Sequence, residues 1–360
     1  MKKKILITYS GKEGYGGIYS FFKLLLPELE KKYDITFFSV TEKIPKFNTI
    51  LKSMPSWLKK ISFKYNLHNF ISGFYFLKYI KIFKKYDKVI YNQANAFPSA
   101  LFLNTNKLNI LHGSCKSCSQ AWWKERRIVY WLYYKIFTFF EFLSGNCCDK
   151  VLTVSDLSKV NLKKSLIYKP VINCGLGLDE FKFEDINEKI INFSDKDFLL
   201  VFSGRFDIGK GSDKMIKVMK KMSNSYPNIK LLCVSKKTNN WQELIKYNIF
   251  FYEDLSDYDL HSIYSLANLM LFPSRYEGFG LSPAEGLKYG LPLIYTKTGF
   301  GYSLINKNIE GIYINETNEN EDIIIKQILL EYKKKKKYDF SDIDVLYYKN
   351  NLKKWLREIN

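Results

Sequence analysis

Short apolar runs alternate with segments of helical period along the whole 360-residue chain. That alternation is what a parallel sheet with crossover helices writes into a sequence. In the first half the runs are Ile5 to Thr8, Ile35 to Val40, Val89 to Tyr91, Ile110 to Leu111, Val151 to Val154 and Val171 to Ile172. In the second half they are Phe198 to Phe202, Leu231 to Val234, Ile249 to Phe251, Leu269 to Phe272, Leu293 to Tyr295 and Ile312 to Ile314. All are rich in Ile, Val, Leu and Phe, as strands covered on both faces should be. From Phe181 to Lys196 the chain is charged and lacks a long apolar run, so a linker is expected there. The fold class is therefore α/β, with two Rossmann-like domains and a crevice between them. The expected limits are residues 1–178, residues 179–340 and a closing helix within residues 341–360.

Two helices are readable by period. Leu260, Ile263, Tyr264 and Ala267 form one buried stripe, and His261, off that stripe, is expected on the surface. Met215, Ile216, Met219 and Met222 form a second stripe, read as a core face.

Net charge is +20, which suits anionic partners. Lys residues are scattered, and Lys, Asn, Ile, Phe and Tyr are all plentiful, so AT-rich coding explains the charge equally well. Ile128 to Leu143 is strongly aromatic but too short to span a bilayer. It reads as a helix packed on the first sheet or as one lying on an anionic membrane surface beside Arg126 and Arg127. The run Lys333 to Lys337 is expected to be solvated. The start, Met-Lys-Lys-Lys-Ile-Leu-Ile-Thr, reads as a first strand rather than a leader. The expected location is cytoplasmic, or peripheral on the inner face of the membrane. Six cysteines are then expected as free thiols. A zinc site on His112, Cys115 and Cys118 with Cys147 and Cys148 fits the usual spacing poorly.

Chemistry concentrates in a few loops. Phe272 to Pro292 reads as a strand, the glycine turn Glu277-Gly278-Phe279-Gly280, and a helix start with Ser282 at N-cap, Pro283 at N1 and Glu285 at N3. Free N–H groups at such a start, including Leu281 and Ser282, favour an anion such as a diphosphate. Glu277 and Glu285 would contact different parts of one elongated ligand, or Glu285 simply closes a capping box. Leu199 to Met222 reads as strand, glycine loop and helix, with Arg205 and Lys210 able to neutralise a diphosphate. It is neither of the common nucleotide-binding glycine motifs. Gly16 and Gly17 sit in a third loop, after the first strand, and His112 follows the fourth. A plain turn and a structural histidine are the alternative readings.

These stretches resemble a known family. Glu277 to Glu285, EGFGLSPAE, is similar to the E-x7-E motif of the retaining glycosyltransferase family 4, whose fold is GT-B. GLKYGLPLI resembles the stretch that follows that motif, and Gly204-Arg205 with Lys210-Gly211 resembles the family's G-R-x-x-x-x-K-G segment. Ser155, NCGLGLDEF from Asn173 to Phe181, and Gly16-Gly17 resemble three further family positions. The resemblance implies two domains facing each other across a deep cleft, with the C-terminal helix returning toward the first. It implies that Arg205 and Lys210 hold a nucleotide diphosphate and that Glu285 bonds the ribose. Glu277 and His112 would sit at the transferred sugar, Phe279, Gly280, Leu281 and Ser282 would offer backbone N–H groups, and the Gly16-Gly17 loop would lie near the phosphates. No metal or other cofactor is expected. The implied reaction is retaining transfer of a hexosyl or N-acetylhexosaminyl group, from a UDP sugar in the first instance, to a glycan or lipid-linked glycan in surface polysaccharide assembly. Gly299 to Tyr302 departs from the family's G-G-x-P-E stretch, and Cys174 interrupts the Asn173-Gly175 junction. A sugar-nucleotide epimerase, a phosphorylase, and a non-catalytic basic protein bound to membrane or nucleic acid are the rival readings. No nucleic-acid motif is present, so a nucleic-acid partner is not expected.

Overall fold

The computed structural model describes residues 2–10, 17–44, 47–64, 67–115, 117–118, 127–178, 185–190, 192–316, 320–346 and 348–360. The chain divides into two compact units, Met1–Leu176 with Lys349–Asn360, and Gly177–Tyr348.

The first unit is built on β1 (Lys3–Tyr9), β2 (Tyr33–Ser39), β3 (Thr49–Leu51), β4 (Lys88–Asn92), β5 (Asn106–Ile110), β6 (Lys150–Thr153) and β7 (Val171–Asn173). They form a parallel sheet in the order β3-β2-β1-β4-β5-β6-β7. Residues 5 to 9 of β1 and all of β4 are buried, because helices cover both faces. Its principal helices are α1 (Gly17–Glu30), α2 (Ser56–Lys64), α3 (His68–Phe76), α4 (Arg127–Asn146) and α5 (Asp156–Lys164), the last capped by Ser155, whose hydroxyl accepts from Ser158 N–H. Edge strand β3 has no apolar run of its own and is defined by its pairing, Phe37 with Thr49 through Ser39 with Leu51.

The second unit holds β8 (Phe198–Ser203), β9 (Ile229–Val234), β10 (Ile249–Tyr252), β11 (Leu269–Phe272), β12 (Leu293–Thr296) and β13 (Ile312–Asn315), ordered β10-β9-β8-β11-β12-β13 and all parallel. Its principal helices are α6 (Ser212–Met222), α7 (Asp257–Leu266), α8 (Leu281–Lys288) and α9 (Glu321–Lys334). Met215, Met219 and Met222 are buried, so the methionine stripe is core. His261 is buried, contrary to the period, because Tyr289 packs on it and its Nδ1 lies 2.5 Å from the tyrosine hydroxyl. The run Lys333 to Lys337 is exposed as expected, although Lys337 Nζ also donates to the Ala267 carbonyl at 2.6 Å. Part of the stretch expected as a linker is anchored within the second unit. Asn187 donates its N–H to Ser262 and its amide to Asp259, which places that turn on α7. Residues 181–184 lie outside the described residues.

The last helix, α10 (Tyr348–Ile359), completes the first unit. Trp355 is 1% exposed, packs on Phe21 at 4.8 Å and donates Nε1–H to the Gly175 carbonyl at 2.8 Å. Glu358 pairs with Lys150 at 3.0 Å, and Lys88 donates to the carbonyls of Ile359 and Asn360. Gly175, at φ +71, leaves no room for a side chain against Asn351, so the junction interrupted by Cys174 is where this helix seats.

Candidate functional site

Strands β8 and β11 are neighbours, yet the chain winds outward from them in opposite directions. The loops at their C-terminal ends therefore flank a topological switch point, the usual place for a ligand in an open parallel sheet. After β8 the chain turns at Gly204, and Gly211 enters α6 at φ +80. A Cβ at Gly211 would stand 2.1 Å from the Pro273 carbonyl, so glycine lets this loop lie against the end of β11. Asp207 organises the loop. Its carboxylate accepts from Lys210 N–H at 3.0 Å and lies 3.5 Å from Arg205 Nε. The Arg205 side chain is 76% exposed. Lys210 folds inward, with Nζ 2.5 Å from Glu277 Oε1 and 5.8 Å from the Phe272 ring centre.

The loop after β11 is tied to the first one. Ser274 Oγ, fully buried, lies 3.1 Å from Glu277 Oε1 and 3.3 Å from the Gly209 carbonyl. Arg275 N–H donates to Gly209 at 2.8 Å, and its guanidinium forks onto Asp213 at 2.6 and 2.7 Å and onto the Ile208 carbonyl. Burial alone would raise the Asp213 carboxyl, but Arg275 outweighs it and holds it below the usual carboxylate range. Sequence reasoning missed Arg275. Nothing in its spacing links it to an aspartate sixty-two residues earlier.

The helix start differs from the expected one. Gly280, at φ +98, is the N-cap of α8, so Ser282 is the second helical residue and Glu285 the fifth. No side chain caps this end. Glu285 therefore closes no capping box. Its Oε2 accepts from the Tyr264 hydroxyl at 3.1 Å, and burial pushes its carboxyl above the usual range. Gly280 is needed because a Cβ there would stand 2.5 Å from the Tyr295 hydroxyl. The family-divergent stretch buttresses this turn. Gly299, at φ +51, comes so close that a Cβ would stand 2.0 Å from the Phe279 carbonyl, and Phe300 N–H donates to that carbonyl at 2.8 Å. The structure thus brings Arg205, Lys210, Glu277, the Phe279-Gly280-Leu281-Ser282 turn and Glu285 to one edge of the second sheet.

The remaining candidates belong to the first unit. Gly16 lies outside the described residues, and Gly17 is the first residue of α1. His112 follows β5, with Nε2 2.9 Å from Asn92 Oδ1 and its ring edge-on to Phe21. A buried polar chain continues from the neighbouring strand ends. Asn92 N–H donates to Thr8, Thr8 bonds Asn95, Asn95 bonds Ser10, and Ser10 bonds Asn69. The loop after His112 is anchored on buried Glu141 of α4, which accepts from Ser114 Oγ at 3.2 Å and from Cys115 N–H. Burial raises the Glu141 carboxyl. These strand-end groups and Glu141 were also missed. All six cysteines are free thiols, and among the described residues no cluster of His, Cys, Asp and Glu is arranged as a metal site.

Burial pushes the His112 imidazole down to about 4 from its ordinary 6.5, so at neutral pH it is uncharged. The unfolded chain then binds a proton that the folded one refuses as pH falls from about 6.5 to about 4, and stability drops across that window. The gap is worth about 3 kcal/mol. A His112→Gln variant is expected to lose that part of the slope in urea unfolding at pH 7 and pH 4.5. An unchanged slope would show that His112 is solvated.

Residues 183–340 match the model of the family described as Glycosyl transferases group 1. Every second-unit candidate named above falls inside that match. Among curated proteins the chain is 28% identical over 135 residues to an uncharacterized 41.2 kDa protein of the cps region of Klebsiella pneumoniae, covering 35% of each. It is 25% identical over 203 residues to an uncharacterized glycosyltransferase of Methanocaldococcus jannaschii, covering 49% of this chain and 50% of that one. The matches span about a third to a half of those relatives. Among solved structures, WaaG, a glycosyltransferase involved in lipopolysaccharide biosynthesis, superposes with a TM-score of 0.66 at 15% identity over 97% of this chain and 94% of that one. The fold is GT-B. The first unit of this GT-B chain lies wholly outside the family match and is related to solved proteins by fold alone.

Proposed function

We propose that this chain is a retaining glycosyltransferase of family 4. It moves a hexosyl or N-acetylhexosaminyl group from a nucleotide-diphosphate sugar, UDP-linked in the first instance, to a glycan or lipid-linked glycan acceptor in surface polysaccharide assembly. The observation that carries this reading is the convergence of Lys210, Glu277 and the uncapped start of α8 at one switch point, inside residues that match Glycosyl transferases group 1. An uncapped helix start and a lysine are what a departing diphosphate needs, since both stabilise charge that grows as the sugar–oxygen bond stretches. In this reading the diphosphate displaces Glu277 from Lys210. The freed carboxylate then faces the oxocarbenium-like sugar, and exposed Arg205 closes on the phosphates from the loop edge. Glu285, beside Tyr264, takes the ribose hydroxyls. Neutral His112 contributes a hydrogen bond to the sugar without adding charge. The acceptor hydroxyl attacks from the face the diphosphate leaves, which retains the anomeric configuration, and gives its proton to an oxygen of the departing diphosphate. The names of the relatives support the pathway: one lies in a cps region and another acts in lipopolysaccharide biosynthesis.

A thermal-shift screen of UDP-, GDP- and ADP-sugars tests the donor. A ligand at a hundred times its dissociation constant is expected to add about 2.7 kcal/mol of stability. Proton NMR of the product reads the anomeric outcome. Absence of a shift with every nucleotide sugar would remove the reading.

A further inference from the structure

The chain's positive charge is not shared between its units. The first holds 33 of the 56 Lys and Arg residues against 11 of the 36 Asp and Glu, while the second holds 23 against 25. Coding bias toward lysine acts on a whole chain and would leave both units basic. What separates them is chiefly the scarcity of carboxylates in the first, and that is a property of one folded unit.

Two helices of that unit also carry large apolar side chains on their exposed faces, beside the Leu58, Phe137 and Phe140 that they pack inward. In α2 the exposed positions include Trp57, Lys60, Ile61 and Lys64, spaced i, i+3, i+4 and i+7, while its buried residue is Ser62. In α4 the exposed positions among the described side chains are Trp131, Lys135 and Phe139, spaced i, i+4 and i+8, while Glu141, Ser144 and Gly145 are buried. Trp57 is 63% exposed, Trp131 50% and Phe139 56%. An ordinary surface helix keeps its exposed face polar. Helix α3 joins the two. It packs against α2, and its Phe70 and Phe74 contact Phe140 of α4 at 4.7 and 6.0 Å.

We propose that this face of the first unit docks on an anionic lipid bilayer. Aromatic rings settle at the level of the head groups, and lysines one turn away keep their ammonium groups among the phosphates. Lys135 lies 5.7 Å from the Trp131 ring, which is that pairing. A second copy of the chain fits the face poorly, because it would bring an equally positive surface against it. A nucleic acid is met by a basic groove with stacking platforms, whereas here aliphatic and aromatic side chains alternate with lysines along the exposed faces of helices. Among the described residues no helix is long and apolar enough to cross a membrane, so the contact is made on the surface.

The test needs no nucleotide, so its outcome is independent of the proposed transferase reaction. The full chain is sedimented with vesicles of phosphatidylcholine alone and of phosphatidylcholine with phosphatidylglycerol. It is expected to sediment with the anionic vesicles only, with a blue shift of tryptophan emission. Each lysine near such a surface contributes about fivefold, so Lys60→Glu with Lys64→Glu and Lys135→Glu is expected to lower partition by about 100-fold or more. Trp57→Ser with Phe139→Ser is expected to lower it by at least about tenfold. Unchanged circular dichroism and thermal midpoints establish that the variants are folded. The proposal is overturned if the parent stays in solution with anionic vesicles at low salt, or if either folded variant binds as the parent does. It is also overturned if the lipid-free chain is a dimer that the Trp57→Ser, Phe139→Ser variant makes monomeric, since the face then belongs to a second copy.

Discussion

Glu277→Ala is expected to lower turnover by about 10²–10³-fold while nucleotide affinity stays within a few fold. The asymmetry follows from what the carboxylate touches. It holds Lys210 at 2.5 Å and is buried beside Ser274, so its removal takes a negative charge from the place where the sugar's positive charge would grow. The same removal releases Lys210, which then meets the diphosphate without first giving up a partner. Binding of the nucleotide alone should hold or tighten. Glu277→Gln keeps the shape and the buried polar contact and separates charge from packing. The measurement is initial rate against donor concentration, set beside the nucleotide-induced thermal shift of each variant. Turnover equal to the parent's would remove Glu277 from the reaction. Equal losses in turnover and affinity would recast it as a binding group.

Trp355→Ala is expected to cost the first unit about 3–5 kcal/mol. The indole is the largest of the fully buried side chains among the described residues, rests on Phe21, and meets the Gly175 carbonyl through its N–H. Trp355→Phe retains most of the apolar burial and loses the hydrogen bond, so its cost should be nearer 1–2 kcal/mol. Urea unfolding followed by circular dichroism reads both. In a chain of two units the transition of the first unit should move while that of the second stays, and the two are treated separately. A loss below about 1 kcal/mol for the alanine variant would mean that α10 is only loosely seated.

The strands were legible because a strand covered on both faces must be a nearly continuous apolar run, and such runs are visible without knowledge of partners. β3 was not, since Thr49 to Leu51 is a strand only through its pairing with β2. The helix beginning near Ser282 was legible, but its first residue was not. Ser-Pro-x-Glu reads as a complete cap, yet Gly280 in the left-handed region takes that place two residues earlier. Glu277 and Lys210 were each visible as residues on loops after strands, and their contact with each other was not. The groups that hold the candidate loops of each unit in place were hidden for one shared reason. The Arg275–Asp213 fork, the His261–Tyr289 contact and the Glu141 anchor each join residues from separate elements, and the partner comes from tertiary packing alone.

The return of α10 to the first unit bears on how the protein is made. A ribosome delivers β1 to β7 before the second unit, but the indole that closes their core and the carbonyls that engage Lys88 lie in residues 349–360 and emerge only after it. The intervening 172 residues can collapse on their own as soon as they are released. The first unit is thus begun before the second and completed after it, and it waits with a sticky, positively charged flank until α10 emerges.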